Sequence, residues 1–121
     1  MQQALLDTNF ILTCIKQKID FFEDLQFRGI QILIPEQVIN ELKKLSSKKG
    51  TASSISEFAL KFLRPNTFKT VDLKNNHVDE AIMDFAKENP AVIIATLDKD
   101  LKFKVNNPYL VIRGRKKLQI I

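Results

Sequence analysis

Little in this chain can carry thiol, imidazole or phosphate-loop chemistry. Its 121 residues include one cysteine, Cys14, and one histidine, His77. A single thiol makes no intrachain disulfide, which suits a reducing compartment and predicts a cytoplasmic protein. One cysteine and one histidine cannot supply a structural zinc site. A serine or cysteine nucleophile would have to rely on His77, which stands in the polar stretch KNNHVDE, where a surface or capping residue is expected. Glycine is nearly as scarce. Gly29, Gly50 and Gly114 are too few for a Walker loop or a dinucleotide fingerprint. Long apolar runs are missing as well: the run at 91–95 is far short of the roughly 20 residues that span a bilayer. No membrane segment is therefore expected, and the N-terminus lacks the parts of a secretion signal.

What remains is a basic, globular chain. Hydrophobic residues are 45% and charged residues 27%, which argues against disorder and, with the length, for one domain over 1–121. The net charge is +5. The basic residues gather at Lys43, Lys44, Lys48 and Lys49, at Lys99, Lys102 and Lys104, and in RGRKK over 113–117. A basic balance names nucleic acid as the first partner to consider, against a plainly solvated surface.

Hydrophobic periodicity alternates strand with helix. Strands are expected at 4–6, 30–34, 68–71, 91–96 and 109–113, with KLQII as a further edge strand. Helices are expected at 8–18, 20–27, 36–46, 54–63, 78–87 and 99–105. SSKKGTASS is the one loop-like stretch. The pattern predicts an α/β fold in which a parallel sheet lies between helical layers. Ligands of such sheets sit beyond the carboxyl ends of the strands.

Four acids are predicted at that end. Asp7 follows the first strand and Asp98 the fourth. Each is open to two readings, as a helix N-cap or as a metal ligand. Glu41 lies on the margin of the stripe Val38, Leu42 and Leu45. Asp79 lies beside the stripe Val78, Ala81, Ile82 and Phe85, whereas Glu80 and Asp84 face away; Asn76 with Asp79 also resembles a capping box. Two like charges about 4 Å apart repel by about 4 kcal/mol at an effective dielectric of ~20. Four such carboxylates must take up protons or hold a cation. All-oxygen donors suit Mg²⁺ or Mn²⁺, which activate water. An acidic crevice on a basic surface is the layout of a nuclease.

The ordered set LLDTNFIL, IPEQVINELKKL, HVDEAIMDFAKENPAVIIATLDKDLK and YLVIRGRKKL resembles the PIN domain along nearly the whole chain. The resemblance implies a three-layer α/β/α sandwich with about five parallel strands. It implies an endoribonuclease acting on single-stranded RNA with Mg²⁺ or Mn²⁺. The catalytic and metal-binding set would be Asp7, Glu41, Asp79 and Asp98, with Asp100 as a fifth acid. Thr8 or Asn9, and Thr96, would be polar helpers. Lys43, Lys44, Lys102, Arg113, Arg115 and Lys116 would contact phosphates without reading sequence. DKDLK and IRGRKKL place the chain nearer to archaeal and ribosomal-RNA-processing PIN proteins than to VapC-type toxins, though it carries no zinc ribbon. The partner is then a ribosomal precursor, or an antitoxin on the toxin reading. Self-association is also expected, with the apolar helix over 55–63 as a candidate surface. A non-catalytic RNA-binding or scaffold domain on the same fold is the alternative. A phosphoacceptor receiver domain fits poorly: Asp72 is available, but the first strand lacks an acid pair and Arg113 stands where a lysine is required.

Overall fold

Alternation along each inner strand divides its side chains between two apolar clusters. In β1 (Gln3–Leu6), Ala4 and Leu6 enter one cluster and Leu5 the other; β2 (Gln31–Pro35) sends Ile32 and Ile34 one way and Leu33 the other; β4 (Ile93–Ala95) sends Ile93 and Ala95 against Ile94. Strands buried on both faces are the mark of a covered parallel sheet. A computed structural model describes residues 1–114 and 116–121, the side chain at position 52 excepted. The described residues form one six-stranded sheet in the order β3-β2-β1-β4-β5-β6, completed by β3 (Lys69–Val71), β5 (Tyr109–Arg113) and β6 (Lys117–Ile120). Strands β1 to β5 run parallel, and β6 returns antiparallel beside β5. KLQII thus supplies the expected edge strand.

Helices cover both faces. On the first lie α1 (Thr8–Lys16), α2 (Phe21–Phe27), α3 (Glu36–Ser46) and α4 (Thr51–Leu63), which place Phe10, Phe22, Leu42 and Leu63 in the larger cluster. On the second lie α5 (Val78–Glu88) and α6 (Lys99–Lys104), which place Ile82, Ala86 and Leu101 in the smaller one. The result is the three-layer α/β/α sandwich. Among the described residues, no helix is long and apolar enough to cross a membrane.

An aromatic nest anchors the larger cluster. Phe21 meets Phe22 at 4.8 Å and Phe62 at 5.6 Å between ring centroids, and Phe68 lies 6.1 Å from Phe22. Cys14 packs at 0% exposure, and burial pushes its thiol up to about 12, so it is a packing residue rather than a nucleophile.

Three local expectations change. The helix expected over 8–18 stops at Lys16, because Lys18 turns left-handed at φ 58 and the Ile19 amide donates to the Cys14 carbonyl. Helix α4 begins at Thr51, inside the expected loop, because Gly50 makes the turn at φ 113, where side chains are strained. Its buried face is Ser56, Ala59 and Leu63, and Phe58 is turned outward at 59% exposure. Ser56 and Ala59 are the small residues that let α4 pack closely on its neighbours. The segment considered for self-association is therefore divided: Ala59 and Leu63 are core, and Phe58 is free.

Phe22→Ala is expected to lower unfolding free energy in urea by about 3–5 kcal/mol, the usual cost of a large aromatic cavity. Phe27→Ala, at a residue 92% exposed, is expected to change it by less than about 0.5 kcal/mol.

Candidate active site

The crevice opens where the chain leaves neighbouring strands for opposite faces. After β1 it enters α1 on one face, and after β4 it enters α6 on the other. Between these strand ends lies the position where open α/β sheets bind ligands. Asp7 is the first residue past β1, and its amide extends the ladder by donating to the Ala95 carbonyl at 2.9 Å. Its side chain is 5% exposed. Oδ1 accepts from the Thr8 amide at 2.8 Å, which caps α1, and Oδ2 accepts from the Thr96 hydroxyl at 2.8 Å. Asp7 is thus both a cap and a crevice residue.

Thr96 is fully buried and joins two acids. Its Oγ1 donates to Asp7 and accepts from the Asp98 amide at 3.1 Å. Asp98 then caps α6, its Oδ1 accepting from the Asp100 and Leu101 amides at 3.0 and 3.4 Å. Asp100 itself is exposed on the first turn of α6. Asn9 stitches the two sides together, its Oδ1 accepting from the Leu97 amide at 3.1 Å.

Glu41 and Asp79 come from the other flank. Both line a cleft of about 480 Å³, with Asn76, His77, Val78 and Glu80. Glu41 also lines an adjoining cleft of about 590 Å³ with Gln37, Asn40 and Lys44. The capping box expected from Asn76 and Asp79 is not made. His77 holds the N-cap position without a side-chain cap bond, and the local turn is closed by Asn75, whose Oδ1 accepts from the His77 amide at 2.9 Å. Asp79 therefore has no capping duty at the start of α5.

Gln37 is a positioning residue that sequence patterning missed. Its Nε2 donates to Asp72 Oδ1 at 3.0 Å, and its Oε1 accepts from the Leu73 amide at 3.3 Å. It stands one helical turn before Glu41, on the same face of α3. The pair of bonds latches the segment between β3 and α5 onto α3, so Glu41 and Asp79 share a wall. Asp72 is held below the usual carboxylate range by the Lys74 amide and by Gln37, in a turn-closing role. No periodicity marks a half-buried glutamine for such work; the signal was only its spacing of four from Glu41. His77 is exposed at the N-cap position of α5, in keeping with a surface or capping residue, and it also lines the cleft.

Electrostatics link three of the acids. Burial pushes the Asp7 pKa up; the Thr96 and Thr8 hydrogen bonds pull against it, and the charges of Asp79 and Glu41 push it up further. Asp98 is tied to this group through Thr96. The ion pairs among the described residues, Arg28–Asp24 and Lys61–Glu57, lie elsewhere. Thr8 Oγ1 is buried beside Asp7 with no partner. The Asp7 carboxylate, in no ion pair among the described residues, and the unpartnered Thr8 hydroxyl are hard oxygen donors of the kind a hydrated divalent cation takes. As placed, no three of the described acidic, histidine or cysteine side chains are close enough to enclose one ion.

The basic residues divide. Lys43 and Lys44 are exposed on the last turn of α3, and Lys44 reaches the cleft beside Glu41. Lys102 is half-buried on α6, and Arg113 is exposed at the carboxyl end of β5, the same end as the acids. Lys116 lines a separate cleft with Lys18, Asp20, Glu23, Asp24 and Arg28. Arg115 lies outside the described residues.

The family described as "PIN like domain" matches residues 4–117. Ribonuclease VapC4 of Methanocaldococcus jannaschii is 35% identical over 99% of this chain and 97% of its own length. The rRNA-processing protein fcf1 of Schizosaccharomyces pombe is 30% identical over 84% of this chain, which spans 52% of that protein. The solved PIN domain endonuclease Utp24 superposes with a TM-score of 0.79 at 27% identity, over 98% of this chain and 90% of that one. The family match over residues 4–117, the end-to-end relative and the shared fold make the chain a member of the PIN-like domain family.

Proposed function

We propose that the chain is a metal-dependent endoribonuclease that hydrolyses unpaired RNA in the crevice between β1 and β4. The observation that carries this reading is Asp7, a buried carboxylate flanked by the charges of Asp79 and Glu41 and, among the described residues, in no ion pair with a basic side chain. Such a group gains strongly from a cation. Bound Mg²⁺ or Mn²⁺ would supply the acidity that turns a water into a nucleophile and offset charge gathering on the phosphate. Asp7, Glu41 and Asp79 would hold the ion, with Asp98 through its Oδ2, which carries no cap bond. Thr96 fixes the orientation of the Asp7 carboxylate, and Thr8 and Asn9 line the same edge. Glu41 is placed to hold the attacking water or a second ion. Asp100 stands outside as an auxiliary acid.

Lys43, Lys44, Lys102 and Arg113 would take the phosphates, which sets register without reading bases. RNA as substrate draws support from relatives named as a ribonuclease and as an rRNA-processing protein. The end-to-end match to the first favours a small free-standing ribonuclease, with an antitoxin as partner if it acts as a toxin. The match to the second favours a ribosomal precursor as substrate. The buried thiol of Cys14 suits a reducing cytoplasm. A non-catalytic RNA-binding domain is the second reading, favoured by the separation of the acids as placed.

Cleavage of an unstructured end-labelled RNA separates the two. Wild type is expected to cut it with Mn²⁺ or Mg²⁺ and not with chelator, and Asp7→Asn is expected to lose more than about a hundredfold in rate, exceeding a typical loss from the shell behind a metal. Binding without cutting under every condition would establish the second reading.

Stability gives an independent check. The folded state holds the Asp7 proton more tightly than the unfolded chain, so ionising Asp7 costs stability. That cost is absent below the usual carboxylate range, grows as pH rises through the window up to the raised value, and is complete above it. In Asp7→Asn the new amide can donate to Thr96 Oγ1 while its oxygen keeps the Thr8 bond. Without metal at neutral pH, Asp7→Asn is therefore expected to melt roughly 2–8 °C higher than wild type by calorimetry. The advantage should vanish on acidification, and Mn²⁺ should raise wild type more than the variant.

A further inference from the structure

Helix α6 presents an aromatic ring to solvent among lysines. In KDLKFK, Leu101 is buried in the smaller cluster, while Phe103, about 200° around the helix from it, is 89% exposed. Lys99, four residues back, shares its face, and Lys102 and Lys104 flank it. None of the three lysines makes an ion pair among the described residues. A single exposed apolar side chain is ordinary on a protein surface, so its setting must decide.

Phe27 supplies the contrast. It is just as bare, at 92% exposure, but lies on the opposite face of the sheet. Its neighbour Arg28 is engaged, pairing with Asp24 at 2.7 Å and donating to the Leu118 carbonyl at 2.6 Å. Phe103 instead stands five residues beyond Asp98, roughly 7.5 Å along the helix axis, on the element that Thr96 ties to Asp7.

The ring is also held on a fixed backbone. A six-residue helix has little stability of its own, and α6 is fastened at both ends. Asp98 caps its N-terminus, and at the other end the single proton of the Tyr109 hydroxyl is shared between the carbonyls of Lys102 and Val105. These are carbonyls that a helix end leaves bare. A ring on a preset backbone loses little freedom on binding.

We infer that Phe103, between Lys102 and Lys104, is the stacking platform for an unpaired base of single-stranded RNA entering the acidic crevice. Its ligand follows from the ribonuclease reading above. Every base offers a π-face, so the contact tolerates any sequence, and the lysines take the flanking phosphates.

The chain has no tryptophan, so Phe103→Trp creates a lone fluorophore at the platform. In chelator, its emission is expected to fall as a short oligouridylate is added, and to stay unchanged with inorganic polyphosphate of matched charge. Phe27→Trp should stay unchanged with both. Phe103→Ala should weaken labelled oligouridylate binding by roughly five- to a hundredfold, the worth of one stacked base, and Phe103→Tyr should restore it. The inference is overturned by unchanged Phe103→Trp emission, whether or not the oligouridylate binds, by equal quenching with polyphosphate, or by wild-type RNA affinity in Phe103→Ala, which would leave the ring as a protein contact. Wild-type cleavage with metal judges the nuclease reading separately: quenching without cleavage removes only the nuclease, and cleavage without quenching removes only the platform.

Discussion

The hydrogen bond from the Thr96 hydroxyl to Asp7 is the constraint around which the crevice is organised. It crosses from the end of β4 to the end of β1 and keeps a buried carboxylate pointing between them. The Asp98 amide then closes on the same hydroxyl oxygen. One side chain thereby fixes the aim of Asp7, the start of α6 and the place of a second acid. Removing the hydroxyl would leave a carboxylate oxygen and an amide short of partners where both Asp7 and Thr96 are buried, a larger penalty than one surface hydrogen bond.

The opposite flank is built by a different device. Glu41 and Asp79 sit on helices that follow the paired strands β2 and β3 but cover opposite faces of the sheet. Gln37 ties the two by gripping the segment that leads into α5. The site is thus half fixed by buried hydrogen bonds at the strand ends and half by an exposed latch. That difference accounts for the burial of Asp7 and the exposure of Asp79. It also matches what each flank would do, since a metal needs a firm base and a substrate needs an open side.

Strand and helix order was readable because alternation and helical spacing record burial directly. Asp7 was readable because an acid directly after an apolar strand has few places to go, and Asp98 because it lies three residues past the end of β4 and opens a helix. The dual role of Asp7 was readable only as two alternatives, since capping and facing the crevice leave the same trace in a sequence. Helix α4 turns Ser56, not Phe58, to the core: close packing selects the small residue, and hydrophobicity ranks them the other way. The capping box failed for a similar reason, as Asn75 competes for the local amide. Gln37 had no signal beyond spacing, because a latch between exposed polar groups has no apolar signature.

The bond between Thr96 and Asp7 joins residues 89 apart in sequence. During synthesis the first strand emerges long before its central partner exists. Contacts of such separation form late in folding, after most of the loop-closure entropy has been overcome. A chain of this topology still on the ribosome, short of β4, has Asp7 but nothing to aim it. On the ribonuclease reading proposed above, catalytic competence would then belong only to the nearly finished protein, a useful property for an enzyme made in the midst of RNA.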